Sequence, residues 1–422
     1  MKSKISSGFI YPTAIFVLIA YVYWPVIGFE FLIGWDDQWF VTNHYTQDGF
    51  SLKNLIAIFT EFYYGQYAPV NQLYYTLIYS IFGYSPGYYH ILSAVIHCIN
   101  CVLIYFFLYQ LLYDIYSDNV PRNKMAAFIS ASLFAILPIN VEPVSWIAAS
   151  KVLIYAMFYL LALGFYRKYV KTGRQGFYYL VLICLLLSFG AKEQAVTMPI
   201  FLIILDYLYG RNMNNRLVWL EKLPIIILSV LMGVATLDSQ QVDSREFYSL
   251  IQRVPLFFYS VTEYFTKILF PVNLSYLYPF PFEKTDNVPV WMWVHTIFIP
   301  LIVILLWRYL KNKIWLFCIS FFFIHIVLVS NAVSLARFSV IADRYGYLSS
   351  IGLCLLITLL FLKISEAGRV VSVFATILGG IYFFFLIGTA QSYVLVWRDA
   401  SKLKERLKHT IELRSDYKTY NR

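Results

Sequence analysis

Apolar stretches approaching the roughly 20 residues needed to cross a bilayer recur along the whole chain, which leaves few folds open. They run from Phe9 to Leu32, Tyr88 to Tyr113, Met125 to Leu137, Val152 to Tyr166, Gly176 to Ala191, Ala195 to Tyr209, Leu223 to Leu237, Val290 to Trp307, Ile314 to Ser330, Tyr345 to Leu362 and Val370 to Val396. Lipid offers no partner to backbone N–H and C=O groups, so each run must satisfy them within itself, as a helix. An all-α polytopic membrane protein with about eleven transmembrane helices follows. With 13% charged residues and a mean hydropathy of +0.65, the chain lies far from soluble domains, about a quarter of whose residues are charged. Several runs are short, so helix ends must extend into flanking residues. The first is too long for a signal-peptide core and lacks a small-residue cleavage site, so it reads as a retained span.

The net charge of +10 does not point to nucleic acid, because the basic residues sit in short clusters between apolar runs, the pattern that orients helices in a bilayer. Connections assigned to the inner side hold 16 Lys and Arg against 4 Asp and Glu, and those outside 9 against 14. This predicts a cytoplasmic N-terminus and an outward C-terminus. Arg253 to Phe270 is ambiguous: apolar but carrying Arg253, Glu263 and Lys267, and followed by Pro271, Pro279 and Pro281. If it lies in the interface there are eleven spans; if it crosses there are twelve and the tail is inside. The five cysteines all lie in apolar runs and read as small hydrophobes. The Cys98–Cys101 pair has no second pair to complete a metal site. His97 and Asn100, one helical turn apart, are expected to bond between helices, and Asp206 to reach the inner interface. No repeat or low-complexity linker divides the chain. The expected organisation is one membrane domain, 1–396, with residues 34–87 forming a first outer segment with interfacial helices, and a short polar helical tail, 397–422.

Ionisable residues at the edge of the apolar layer are costly and raise a functional hypothesis. On the outward side they are supplied by "GWDDQW" (Asp36 and Asp37), "PINVEPVSW" (Glu142), "AKEQAVTMP" (Lys192 and Glu193) and "ARFSVIADRYGYL" (Arg337, Asp343 and Arg344). Acids and bases converging this way suit transfer of a group from a phosphate leaving group to a hydroxyl. A carboxylate raised by burial accepts the hydroxyl proton; Lys192, Arg337 and Arg344 would hold the phosphate. Glu142, Glu193 and Asp343 would support them. Trp35, Trp39, Tyr63, Tyr64, Tyr67 and Trp146 could cover the apolar face of a sugar. An outward site cannot draw on cytosolic nucleotide sugars, and no Gly-rich phosphate loop is present, so the donor would be membrane-borne, such as a polyprenyl-phosphate sugar. No cofactor is specified by the residues; whether a metal, such as a divalent cation, assists is left open.

Six blocks in order carry a family resemblance: "GWDDQWFVTNHYTQDGFSLKNLIAIFT", "YAPVNQLYYTLIYSIFGYSPGYYHILSAVIHCINCVLIYF", "LFAILPINVEPVSWIAASK", "SFGAKEQAVTMPIFLIILDYL", "FPVNLSYLYPFP" and "ADRYGYLSSIGL". From about Gly34 to Trp397 the chain resembles the membrane domain of bacterial tetratricopeptide-repeat glycosyltransferases, which are similar to the eukaryotic transmembrane-and-tetratricopeptide-repeat O-mannosyltransferases of the C-type glycosyltransferase superfamily. The resemblance implies an inverting enzyme that uses a polyprenyl-phosphate sugar, with Asp36 or Asp37 as the base and a protein, glycan or lipid hydroxyl as acceptor. It matches Glu142 to the family's acid in the third outer stretch, Lys192 and Glu193 to its Lys-Glu pair, and Asp343, Arg344 and Tyr345 to its Asp-Arg-Tyr. It also implies a bacterial inner membrane, a periplasmic C-terminus, and a segment from Trp397 that would open a repeat array absent from this sequence. Ala68, Leu137 and Asn140 stand where many relatives carry His or Arg, and Ser150, Lys151 and Val152 replace a basic-acidic pair. Two other functions fit the same architecture. One is a transporter or lipid-carrier flippase, though no internal symmetry is visible; the other is a non-catalytic glycolipid-binding relative.

Overall fold

The computed structural model describes residues 3–240, 248–332 and 339–412. Helices dominate, and among the described residues the one extended pairing is an isolated bridge between Tyr63 and Gln66. In chain order the helices are α1 (Ser3–Tyr23), α2 (Asp37–Phe40), α3 (His44–Gln47), α4 (Leu52–Thr60), α5 (Pro69–Phe82), α6 (Pro86–Ile115), α7 (Val120–Ile136), α8 (Val141–Ser145), α9 (Lys151–Thr172), α10 (Gln175–Ala191), α11 (Met198–Leu208), α12 (Arg216–Leu220), α13 (Leu223–Gln240), α14 (Leu250–Leu269), α15 (Met292–Leu306), α16 (Lys313–Val327), α17 (Gly346–Ser365), α18 (Arg369–Val396) and α19 (Ala400–Glu412).

Each predicted apolar run contains a helix, but their lengths differ. Among the described residues six segments are long and apolar enough to cross a membrane: Phe9–Gly28, Pro86–Ile115, Ile147–Thr172, Arg216–Ser239, Asp343–Ser365 and Arg369–Val396. A seventh arises if Val120–Ile136 and Pro138–Ser145, bent by 56°, count as one broken span. The helices Gln175–Ala191, Met292–Leu305 and Lys313–Val327 are apolar but shorter, and α11 has only 11 residues. At about 1.5 Å per residue, 11 residues reach only about half of a 30 Å hydrocarbon layer.

Arg253 to Phe270 forms most of one continuous helix, α14, opened by a capping box in which Ser249 and Gln252 exchange side-chain and backbone hydrogen bonds. Its buried face carries Leu256, Tyr259, Ser260, Tyr264, Lys267 and Ile268, as expected of an amphipathic helix. Residues 271–291 stay non-helical, consistent with the three prolines.

The bundle centre is made by α6, α7, α9 and α17, flanked by α10 and α16. His97 and Asn100 bond between helices: His97 to the Tyr347 hydroxyl (2.7 Å) and the Ala135 carbonyl (3.1 Å), Asn100 to the Leu153 carbonyl (3.0 Å). Close approach matters at Gly352, where a Cβ would fall 2.3 Å from the Cys318 carbonyl oxygen of α16. Asp206, near the C-terminal end of α11, sits in a charge cluster with partly exposed Arg211 and Glu221. It is fully buried, accepts from Tyr166 (2.5 Å), and is paired with Lys222 (2.6 Å) and Arg211 (3.2 Å). Its short side chain ends inside the helix packing, and the longer basic side chains come to it.

The tail joins this core. Trp397 is fully buried and Leu403 nearly so, and Arg406 donates to the Leu274 carbonyl at 2.8 Å. The helical tail is described as far as Glu412; residues 413–422, like Arg337, lie outside the described residues.

Candidate active site

The chain leaves the first span through a 3-10 turn at Trp24–Gly28 and enters α2 at Asp36. Asp36 adopts φ 81°, the left-handed region that Asp tolerates better than most residues. It occupies the N-cap position of α2, yet its side chain makes no capping hydrogen bond. The half-buried carboxylate is thus left over by the local structure.

Asp37 behaves oppositely. It is fully buried, and its two oxygens accept the backbone N–H groups of Leu32 (2.7 Å) and Ala148 (2.9 Å). The adjacent Asp-Asp pair therefore divides into one carboxylate spent on two backbone amides and one with no hydrogen bond among the described residues. Burial raises both. Asp37 is pushed up to about 7, against the two backbone bonds and with the help of the Asp36 charge. Asp36 is raised by burial and held back by the positive charges of Lys151 and Arg344.

The second wall is the broken stretch from Pro138 to Ala149, two 3-10 turns with α8 between them. Glu142 on α8 is fully buried and takes Arg344 twice: the Arg344 backbone N–H at 2.8 Å and its guanidinium at 2.5 Å. The guanidinium also lies over the rings of Trp146 (5.4 Å) and Tyr345 (5.0 Å). Trp146 donates its indole N–H to the Trp35 carbonyl at 3.1 Å, fastening the second wall to the residue before Asp36. Rings close the base: Tyr276 meets Trp35 edge-on at 4.8 Å and Trp146 at 5.4 Å, and Trp146 stacks on Trp397 at 5.6 Å.

Lys192 is buried, lies 5.1 Å over the Tyr345 ring and contacts Glu193 at 3.3 Å. Asp343 is fully buried and takes hydroxyls from Tyr278 (2.8 Å) and Tyr393 (3.0 Å), which fixes the start of the turn that presents Arg344. Trp39 is partly exposed and stacks on Tyr64 at 5.6 Å, whereas Tyr67 donates to the Phe59 carbonyl at 3.0 Å. Trp35 and Trp146 thus lie against the base of the site, while Trp39 and Tyr67 belong to the cap formed by residues 34–87.

Sequence reasoning named Lys151, the first residue of α9, only as part of a replaced basic-acidic pair and gave it no role. Its ammonium donates to the Gln66 side chain at 2.5 Å and lies 5.0 Å over the Phe40 ring. No carboxylate pairs with it among the described residues, whereas Glu142 takes Arg344 and Glu193 takes Lys192. The signal was its place immediately after a broken helix, at the edge of an apolar run. No three His, Cys, Asp or Glu side chains converge among the described residues. The groups around Asp36 are cations and aromatic rings, suited to an anion and a ring with an apolar face.

No family model and no solved structure matches this sequence. A protein O-mannosyl-transferase of Caenorhabditis elegans is 24% identical over 367 residues, covering 81% of this chain and 50% of that protein. The human protein O-mannosyl-transferase TMTC1 is 28% identical over 153 residues, or 33% of this chain and 16% of that protein. Drosophila melanogaster Tmtc1, also named a protein O-mannosyl-transferase, is 26% identical over 154 residues, covering 36% of this chain and 17% of that protein. The chain spans half or less of the length of these relatives.

Proposed function

We propose that this protein is an integral membrane glycosyltransferase that moves a sugar from a polyprenyl-phosphate donor to a hydroxyl acceptor at the outer face of the membrane, with Asp36 as the base. The observation that carries this is the division of labour within the Asp pair. Asp37 is consumed by the Leu32 and Ala148 amides, and Asp36 is left unbonded within reach of the fields of Lys151 and Arg344. Relatives named protein O-mannosyl-transferases support the reaction class.

In this mechanism Asp36 takes the acceptor hydroxyl proton while the acceptor oxygen attacks the anomeric carbon. The bond from that carbon to the phosphate oxygen breaks, and attack from the opposite face inverts the centre. Charge gathers on the leaving phosphate, where Lys151, Lys192 and Arg344 would meet it. Lys151 makes no contact ion pair with a carboxylate among the described residues, so its charge is not held by one as those of Lys192 and Arg344 are. Asp37, Glu142 and Asp343 act as positioning residues that hold α2, Arg344 and the turn carrying it. Glu193 stays ionised, since the charges of Lys192 and Lys151 outweigh the upward push of burial.

The test is transfer from radiolabelled polyprenyl-phosphate sugars by purified full chain. Asp36→Asn is expected to abolish transfer and donor hydrolysis while donor binding and thermal stability persist. Undiminished turnover in Asp36→Asn, or donor binding without turnover in wild type, would overturn the assignment.

A further inference from the structure

Beside the Asp36 centre lies a second feature that the reaction above does not use. The cap formed by residues 34–87 contains a half-open cleft lined by Phe40, Tyr45, Glu61, Tyr63, Gln66 and Asn71, among others. It encloses about 450 Å³ with its open, solvent-facing mouth included. Such a shape takes one edge of a small ring and leaves the rest at the mouth.

We propose that this cleft is a subsite for a single uncharged pyranose, resting on the transferase reading of the neighbouring centre. Its polar groups are those that pair with sugar hydroxyls. Asn71 lines the cleft but is only 4% exposed, and its amide oxygen, sealed from solvent, has no hydrogen-bond partner among the described residues; a hydroxyl pressed into this wall would supply one. Gln66 spends its amide oxygen on Lys151 and leaves its N–H groups to donate. Glu61 already accepts the Tyr45 hydroxyl at 2.5 Å, which fixes that wall in place. Behind them Gln72 is locked by Asn43 (3.1 Å) and Thr46 (2.8 Å), so the cleft is held open by bonds that ligand binding need not form. The Tyr63 and Tyr45 rings meet edge-on at 5.2 Å and offer the apolar surface that the C–H face of a sugar covers.

A peptide fits less well. The Tyr63–Gln66 turn pairs its own backbone groups at 3.1 and 3.0 Å, leaving no free edge for an extended chain to join. Continuity with the reacting centre comes through Lys151, whose ammonium bonds Gln66 in the cleft wall and whose charge also acts on Asp36.

The sugar could be the one carried by the donor or one belonging to a glycan acceptor, and the test separates them. Methyl α-pyranosides of mannose, glucose and galactose are titrated into full-length protein in nanodiscs, with binding followed by saturation-transfer NMR and calorimetry. At least one is expected to bind wild type at millimolar concentration. Asn71→Leu and Gln66→Leu should each weaken it about fivefold to tenfold, while Asp36→Asn binds as wild type does. Gln66→Leu, at a more exposed position, keeps the test valid should Asn71→Leu not fold. Absence of binding by all three pyranosides, or affinity unchanged in both cleft variants, overturns the subsite. With labelled lipid donor, competition against the donor assigns the cleft to the transferring sugar, and competition against the acceptor assigns it to a glycan; competition with neither also overturns it. Pyranoside binding lost in the cleft variants without any wild-type transfer leaves the subsite standing and removes the transferase reading. Transfer with binding untouched by both variants does the reverse.

Discussion

The carboxylate of Asp37 accepts the backbone N–H of Ala148 at 2.9 Å across 111 residues of sequence, and with its other oxygen accepts that of Leu32 at 2.7 Å. One side chain thereby ties the exit of the first span to the broken helix that carries Glu142. Asp37→Asn keeps the shape but turns an amide N–H₂ toward one of the two backbone donors. The expected result is a loss of about 1–3 kcal/mol in stability, read as a lowered thermal midpoint in detergent, with residual turnover in the folded fraction. The Asp36→Asn midpoint should match wild type.

The same burial gives stability a pH dependence of predictable sign. Asp37 sits at about 7 in the folded protein, above the unfolded value near 4, so the folded state binds the proton more tightly. Stability should fall as pH rises from about 4 to about 7 and level off above, by up to about 4 kcal/mol for a full three-unit shift. Thermal midpoints across that range check it, and Asp37→Asn should flatten the profile.

Activity should depend on pH through Asp36. Transfer needs its ionised form, so kcat/KM is expected to fall on acidification at a higher pH than an exposed aspartate would give, because burial raises this group. Lys151 opposes that rise. Lys151→Met should therefore move the acidic limb further upward and raise KM for the lipid donor. An unmoved limb would show that Lys151 does not act on the base.

Glu142 and Arg344 form a pair in which removing one partner strands the other. Glu142→Gln should destabilise by about 3–5 kcal/mol, and the double variant with Arg344→Gln by less than the sum of the singles. Chemical denaturation of the four proteins measures the coupling.

Trp397 lies at the nominal start of the tail but is fully buried and stacked on Trp146 at 5.6 Å. Trp397→Ala should cost about 3–5 kcal/mol and lower turnover by loosening Trp146 beneath Arg344. Truncation just before Trp397 should be as damaging.

Sequence alone determined the all-helical, membrane-type architecture and which charged segments sit at the ends of the apolar runs. Hydropathy fixes which segments become helices, because a lipid interior or an apolar core tolerates no unsatisfied backbone, and charge at the ends of apolar runs marks where chemistry can sit. That was sufficient to bring forward Asp36, Asp37, Glu142, Lys192, Asp343 and Arg344, and to pair His97 and Asn100 with neighbouring helices. It was not sufficient to tell Asp36 from Asp37. Adjacent residues share their local pattern, and the difference is the backbone amide of Ala148, a partner 111 residues away. Lys151 reads from sequence only as part of a departure from the relatives' basic-acidic pair, and packing alone puts its ammonium against Gln66 and Phe40. Trp397 reads as the first residue of a polar tail, and only packing buries it. Periodicity reports a residue's own helix; which carboxylate is spent on backbone amides and which is left without a hydrogen bond depends on groups that folding brings from elsewhere in the chain.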